Sequence, residues 1–336
     1  MSTSIYPFDV VQMGIESAKG TAVAATRKIV GDGVFFEEQD IYRAPYPRGI
    51  RATVGGAGTI IQKRGRLEMN ADLSAEQMLW PLLTGIRGGV TPSATASLQT
   101  WTFTPQLTTS VITLDSATVE YAQSDGTTNH YYGESAYCIT TGFKVSSAFG
   151  SVPKLGWSMA GRARQTDTIT AALTPYSTLE ELTHPLLKVY LDTSWAGLGG
   201  TQLSTIVRSL NFDCVTGVTP DYTADGRADK DMTKHSVGSL GAKLGLILEM
   251  DATGAAMFSD FRSNNVVFVR AIWTGRTISA GVSTVQIDGA YRFTADPKRS
   301  RDGEQNLVSG DLEAVYDSTS SKILEFVVKN ALSAVT

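Results

Sequence analysis

The residue types best suited to chemistry near neutral pH are few and scattered. Three histidines, His130, His184 and His235, have side chains that ordinarily titrate close to pH 7. None stands in an HxxxH or HxH arrangement, so a metal site would have to be assembled from distant segments. Each reads as a surface histidine, and His184 precedes Pro185 in a linker-like context. Cys138 and Cys214 are far apart and lack CxxC spacing, which favours two reduced thiols packed in strands over a metal or redox pair. Gly55-Gly56-Ala57-Gly58 has the glycine content of a phosphate loop but not the GxxxxGK[ST] pattern, and it precedes a strand. A loop tip that orders on contact is the better reading. The adjacent carboxylates Glu37-Glu38 and Glu180-Glu181 would point to opposite faces of a strand, so they read as solvated charges rather than an acid/base pair. No nucleophile–base pair emerges. The expectation is no catalysis, no cofactor and no bound metal.

The remaining candidates are charged clusters. Arg43, Arg48 and Arg51 share a long polar stretch with Lys63 and Arg64. Arg227, Asp229, Lys230, Asp231 and Lys234 form a second group. Lys298, Arg299 and Arg301 form a third, interleaved with Asp296, Asp302 and Glu304. Mixed signs suit ion pairing between protein surfaces better than phosphate tracking. Contact between protein surfaces therefore ranks first, an ordinary solvated loop second and DNA binding a distant third. The net charge of −4, from 29 basic and 33 acidic residues, likewise gives no footprint for tight nucleic-acid binding.

Charged residues make up only 18% of the 336, with Thr, Ser, Gly and Ala in their place, which suits a chain that buries surface against copies of itself. The first residues lack a basic region followed by an apolar run, and no apolar stretch approaches the length of a membrane span. The expectation is a soluble chain, made in a reducing cytoplasm.

These residues must be positioned mainly by strands, because period-two alternation dominates. Leu67, Met69, Ala71 and Leu73 share one parity, as do Tyr137, Ile139, Phe143 and Val145, and Leu155, Trp157 and Met159. So do Leu210, Phe212 and Cys214, Leu244, Leu246 and Leu248, Leu312 with Ala314, and Leu324, Phe326 and Val328. Turn residues at Asp125-Gly126, Gly150-Ser151, Asp225-Gly226 and Asp302-Gly303 separate many runs. Two short helices are predicted. One follows Leu73, with Ser74 and Gln77 at capping-box spacing, Pro81 limiting its length and Gly85 at its end. The other follows Met250, capped by Asp251 or Thr253, with Met257, Phe258 and Phe261 on its apolar side.

The two helices expose an internal repeat. Each follows an alternating strand, and each strand follows a long polar stretch, Arg43 to Arg64 or Val218 to Ser239, expected to be a loop that orders on assembly. Upstream, Val11 to Ser17 pairs with Leu187 to Thr193, each followed by Gly-Thr, at Gly20-Thr21 and Gly200-Thr201. Each half is expected to end on a hairpin: Tyr137–Val145 with Lys154–Gly161, and Leu307–Tyr316 with Lys322–Lys329. This divides the chain into a first domain at 1–165, a Thr-rich linker at 166–183 and a second domain at 184–336.

The opening Gly14-Ile15-Glu16-Ser17-Ala18-Lys19-Gly20-Thr21, the strand-then-helix unit Gly65 to Leu79 and the strand Leu155 to Arg162 resemble the major tail proteins, or tail-tube proteins, of siphophages, including lambda-type tube subunits. The resemblance implies two tandem β-sandwich or barrel domains, each with one short helix. It implies stacked rings around a tape-measure protein, bounded by terminator and tip proteins, with DNA later passing through the lumen without specific binding and no membrane association. The expected place is the tail of the virion, after synthesis and assembly in the host cytoplasm. A single-copy tube subunit is shorter than this chain. Two copies per chain favour a trimeric ring with pseudo-six-fold symmetry over a hexamer, and the charged residues named above become the expected ring-to-ring contacts. The competing reading is a β-rich receptor-binding or adhesin-like virion module, which would form discrete oligomers.

Overall fold

A computed structural model describes residues 9–43, 58–108, 112–165, 169–180, 182–224, 229–278 and 281–335. The fold is mainly β and its ladders are antiparallel, as the alternation predicts. In the first half, β1 (Val10–Ile15), β7 (Ala117–Ser124), β8 (Asn129–Ala148), β9 (Lys154–Gly161), β4 (Gly58–Asp72) and β3 (Asp32–Arg43) pair in that spatial order. In the second half, β10 (Leu187–Asp192), β15 (Val267–Ile278), β16 (Gly281–Phe293), β18 (Gln305–Ala314), β14 (Gly241–Glu249) and β11 (Val207–Val215) do the same. The two halves thus share both chain order and pairing order. The helices α1 (Leu79–Gly85) and α2 (Ala252–Arg262) follow the equivalent strands β4 and β14, and the short strands β2 (Arg27–Lys28) and β5 (Ser93–Thr95) pair with β1 and with β6 (Leu98–Phe103).

Residue-level chemistry repeats as well. Glu16, at the end of β1, accepts from Gly20 N at 2.7 Å and so caps the turn that carries Gly20-Thr21. Asp192, at the end of β10, accepts from Gly199 N and Thr201 N, both at 3.0 Å. A carboxylate caps a turn in each half, which explains why an acidic residue precedes each Gly-Thr. Ser74 Oγ accepts from Gln77 N at 3.2 Å ahead of α1, and Asp251 Oδ1 accepts from Gly254 N at 2.8 Å at the start of α2. Phe35 on β3 stands opposite Leu67, and Phe212 on β11 stands opposite Leu244; both rings are buried.

The long strand β8 belongs to two sheets. Its first part pairs with β7 and its second with β9, and the switch falls at Tyr137, whose φ of 60° bends the strand. Glu16 holds this otherwise unfavourable backbone by accepting from Tyr137 N at 2.7 Å.

Several expectations are corrected. Lys63 and Arg64 are in strand β4, not in a loop, because β3 extends to Arg43 and pairs along β4 as far as Gly58. The stretch Val218 to Ser239 contains a hairpin of β12 (Val218–Asp221) and β13 (Lys234–Val237). The middles of both stretches, 44–57 and 225–228, lie outside the described residues, as do Gly55, Gly56 and Ala57. The second half does not end on a hairpin of neighbouring strands. β18 lies between β14 and β17 (Lys298–Asp302), whereas β19 (Leu324–Asn330) crosses over to pair with β16 and with β6 (Leu98–Phe103). The match to β8–β9 is therefore β16–β18. Alternation revealed both strands but carries no information about partners. The described part of 166–183 is packed rather than free. Tyr176 and Leu182 are buried, Thr170 Oγ1 donates to Glu120 Oε1 at 2.6 Å, and Thr178 Oγ1 donates to Glu76 Oε1 at 3.0 Å.

Candidate assembly interface

The two halves meet edge to edge. β8 pairs with β11 over seven positions, from Ala148 opposite Ser209 to Gly142 opposite Val215, with Lys144 opposite Asp213. On the buried side, Phe143 of β8 and Phe212 of β11 meet Phe326 of β19, with ring centroids 5.6 to 6.0 Å apart. Such aromatic pairs contribute about 0.5–1.5 kcal/mol each beyond area burial. Phe149 N donates to Arg208 O at 3.0 Å. A second clasp joins β6 to β19, where Trp101 Nε1 donates to Leu332 O at 3.1 Å.

His184 belongs to this joint and is buried, contrary to its reading as a surface residue. Its Nδ1 lies 2.7 Å from Ser147 Oγ on β8, and its Nε2 lies 3.4 Å from Val207 O on β11. No local pattern signals this, because both partners come from other elements. His130 is exposed beside Asp125. His235 is half-buried, with Nδ1 3.2 Å from Tyr137 Oη, and burial pushes its pKa down.

The joint also explains an asymmetry between the equivalent helices. All seven residues of α1 are buried, whereas only Gly254 and Met257 of α2 are. Second-half residues help to cover α1. Thr216, just after β11, donates to Thr140 O at 2.8 Å, Thr140 Oγ1 lies 2.7 Å from Thr84 Oγ1, and Asn330 Nδ2 donates to Ala75 O at 3.2 Å. At Gly85 a Cβ would lie 2.9 Å from both Thr140 Cβ and Thr216 Cγ2, so the close approach requires glycine there. Beside α2 runs an open groove of about 750 Å³, with Met250, Phe258 and Leu307 on its floor and Arg262, Arg299 and Arg301 at its rim.

Joining the halves makes one antiparallel ladder of eight strands, β3–β4–β9–β8–β11–β14–β18–β17. Across β4, β9, β8, β11, β14 and β18 one face is largely apolar and buried. The other carries Arg66, Glu68, Lys144, Asp213, Lys243, Asp311 and Glu313, whose signs nearly balance. Among the described residues, the end strands β3 and β17 each have a partner on one side only.

The charged candidates fall at the two ends of this ladder. At the β3–β4 end, Arg64 is ion-paired to Asp40, which raises the guanidinium pKa. Lys63 N donates to Lys230 O at 3.0 Å and Lys230 Nζ donates to Ile60 O, so this loop is already seated on β4. Asp231 is buried there, while Asp229 and Lys234 are exposed. Arg43 closes β3; Arg48, Arg51 and Arg227 lie outside the described residues. At the far end, Lys298, Arg299 and Arg301 all stand on β17, every residue of which is exposed. The internal joint itself went unseen in the sequence, because β8 and β11 look like any other alternating strands.

Cys138 and Cys214 are free and buried, as the sequence suggested, and burial pushes the Cys138 thiol up to about 12 and that of Cys214 upward too. Among the described residues, no group of three or more His, Cys, Asp and Glu side chains is placed to hold a metal ion. No described helix is long and apolar enough to cross a membrane. Neither a protein-family model nor a curated protein matches the chain.

Proposed function

We propose that this protein is a structural virion component, the subunit of the tail tube of a long-tailed phage, and that it assembles with copies of itself into stacked rings that conduct DNA. The observation that carries this reading is the β8–β11 joint, which pairs unlike edges of two halves built on one strand order. A joint between unlike edges, when repeated, generates a closed ring or an open filament. The chain contains one such joint and retains the matching edges, β3 and β17, at its two ends.

In this reading each chain supplies two tandem tube-like domains, and three chains close a pseudo-six-fold ring. The ladder then becomes a barrel of about 24 strands, large enough to enclose a channel rather than a packed core. The polar face with balanced charge lines that channel. Without a basic stripe it does not hold the phosphate backbone, so DNA passes without specific binding. The tape-measure protein and the terminator and tip proteins are the further partners that the family resemblance brings. Catalysis, cofactor and membrane have no part in this role.

Negative-stain electron microscopy of the purified protein tests the proposal. Stacked rings with an open bore are expected; discrete oligomers that never stack would favour a receptor-binding module instead.

A further inference from the structure

Because the chain contains one joint between its halves, it also contains a template for the joint between chains. Resting on the tube reading, we infer that β17 of one chain pairs antiparallel with β3 of a second copy, in the register that β8 and β11 use internally.

The equivalence of the strands fixes this register. β3 lies beside β4 as β11 lies beside β14: Phe35 opposes Leu67 and Phe212 opposes Leu244. β17 lies beside β18 as the end of β8 lies beside β9: Lys298 opposes Ser309 and Lys144 opposes Gly156. Carrying over the internal pairs Lys144–Asp213 and Ser146–Asn211 sets Lys298 opposite Phe36 and Ser300 opposite Val34 of the neighbour.

Three properties of the edges suit this partner. First, β17 is basic, with Lys298, Arg299 and Arg301, and β3 is acidic, with Asp32, Glu37, Glu38 and Asp40. In the carried-over register Lys298 is diagonal to Glu38 and Arg299 to Glu37, within reach of long side chains. Second, Val34 and Phe36 are 47% and 42% exposed on an edge strand, an arrangement that invites pairing unless it is covered. The neighbour's Ser300 and the Lys298 stem cover them. Third, the groove beside α2 lies next to β17, at the place equivalent to that where Thr216 of the second half already packs against α1 within the chain. The docked first half of the next copy covers α2 in the same way. One like-charge pair results, Asp32 opposite Asp302, at the end of the ladder.

Disulfide trapping tests the register. Antiparallel partners have Cα atoms about 4.5–5.5 Å apart, within disulfide range. Chains carrying Val34→Cys are mixed with chains carrying Ser300→Cys, assembled and mildly oxidised. Phe36→Cys with Lys298→Cys forms a second in-register pair, and Glu38→Cys with Ser300→Cys an off-register control. The two in-register mixtures are expected to give covalent pairs of chains, linked at the engineered positions by peptide mass spectrometry, and the control is not. Asp302→Lys is expected to lower the concentration for half-assembly about two- to five-fold. Rings that form without either in-register link, or that link equally in the control, overturn this joint and leave the tube reading standing. Wild-type chains that remain single at all concentrations overturn both.

Discussion

Truncating Phe326 to alanine tests whether the halves share one core. The ring is fully buried on β19 of the second half, 5.6 Å from Phe143 of the first half and 5.9 Å from Phe212. Removing a buried phenylalanine costs about 3–5 kcal/mol, of which the two ring pairs account for roughly 1–3. In urea the midpoint should fall by about 1 M with the slope unchanged, since both halves unfold together. Hydrogen exchange localises the effect: β4 and β9 should lose protection along with β14 and β18. Phe149→Ala, at a residue 71% exposed, should change stability by no more than about 0.5 kcal/mol. If Phe326→Ala left first-half protection untouched, or produced two separate transitions, the halves would be independent domains and β8–β11 a weak contact.

Three further outcomes follow from buried polar groups. Arg270 grips the fully buried carboxylate of Asp288 through two bonds of 2.8 Å. Arg270→Met should therefore cost about 3–5 kcal/mol in thermal unfolding, and Arg270→Met with Asp288→Leu should recover most of it; equal losses would contradict the pairing. Burial raises the pKa of Glu76, so the folded state keeps a proton that the unfolded chain releases, and stability falls as pH rises through that raised value. Glu76→Gln should then be more stable than the wild type at pH 8 and no more stable at pH 3, whereas a gap independent of pH would refute the sign. Cys138 and Cys214, buried and with raised thiol pKa, should resist iodoacetamide at pH 8 until the protein unfolds; rapid labelling of the native chain would show otherwise.

Local chemistry was legible in the sequence wherever it is settled by neighbours in the chain. Asp251 caps α2 at the spacing it displays, Ser74 instead caps the turn that leads into α1, whose own N-cap is Met78, and Leu67, Met69 and Ala71 face the core as their parity requires. The repeat was visible because a carboxylate before Gly-Thr does the same work at Glu16 and Asp192. Choice of partner was not legible. β18 and β19 alternate alike, yet one joins β14 and the other crosses to β16 and β6. Lys298 to Asp302 has no apolar alternation at all and read only as a charged cluster, because an edge strand exposed on both faces needs no buried side chain. The burial of His184 depends on Ser147 and Val207, distant residues whose approach only the fold determines.

In the proposed tube, one chain supplies two equivalent places around a ring. A single-particle reconstruction of assembled protein decides whether it does. Three chains per ring are expected, with α1 and α2 at equal radius and the β3–β17 contact repeating the geometry of β8–β11. Six chains per ring, with the second half far from the axis, would contradict it.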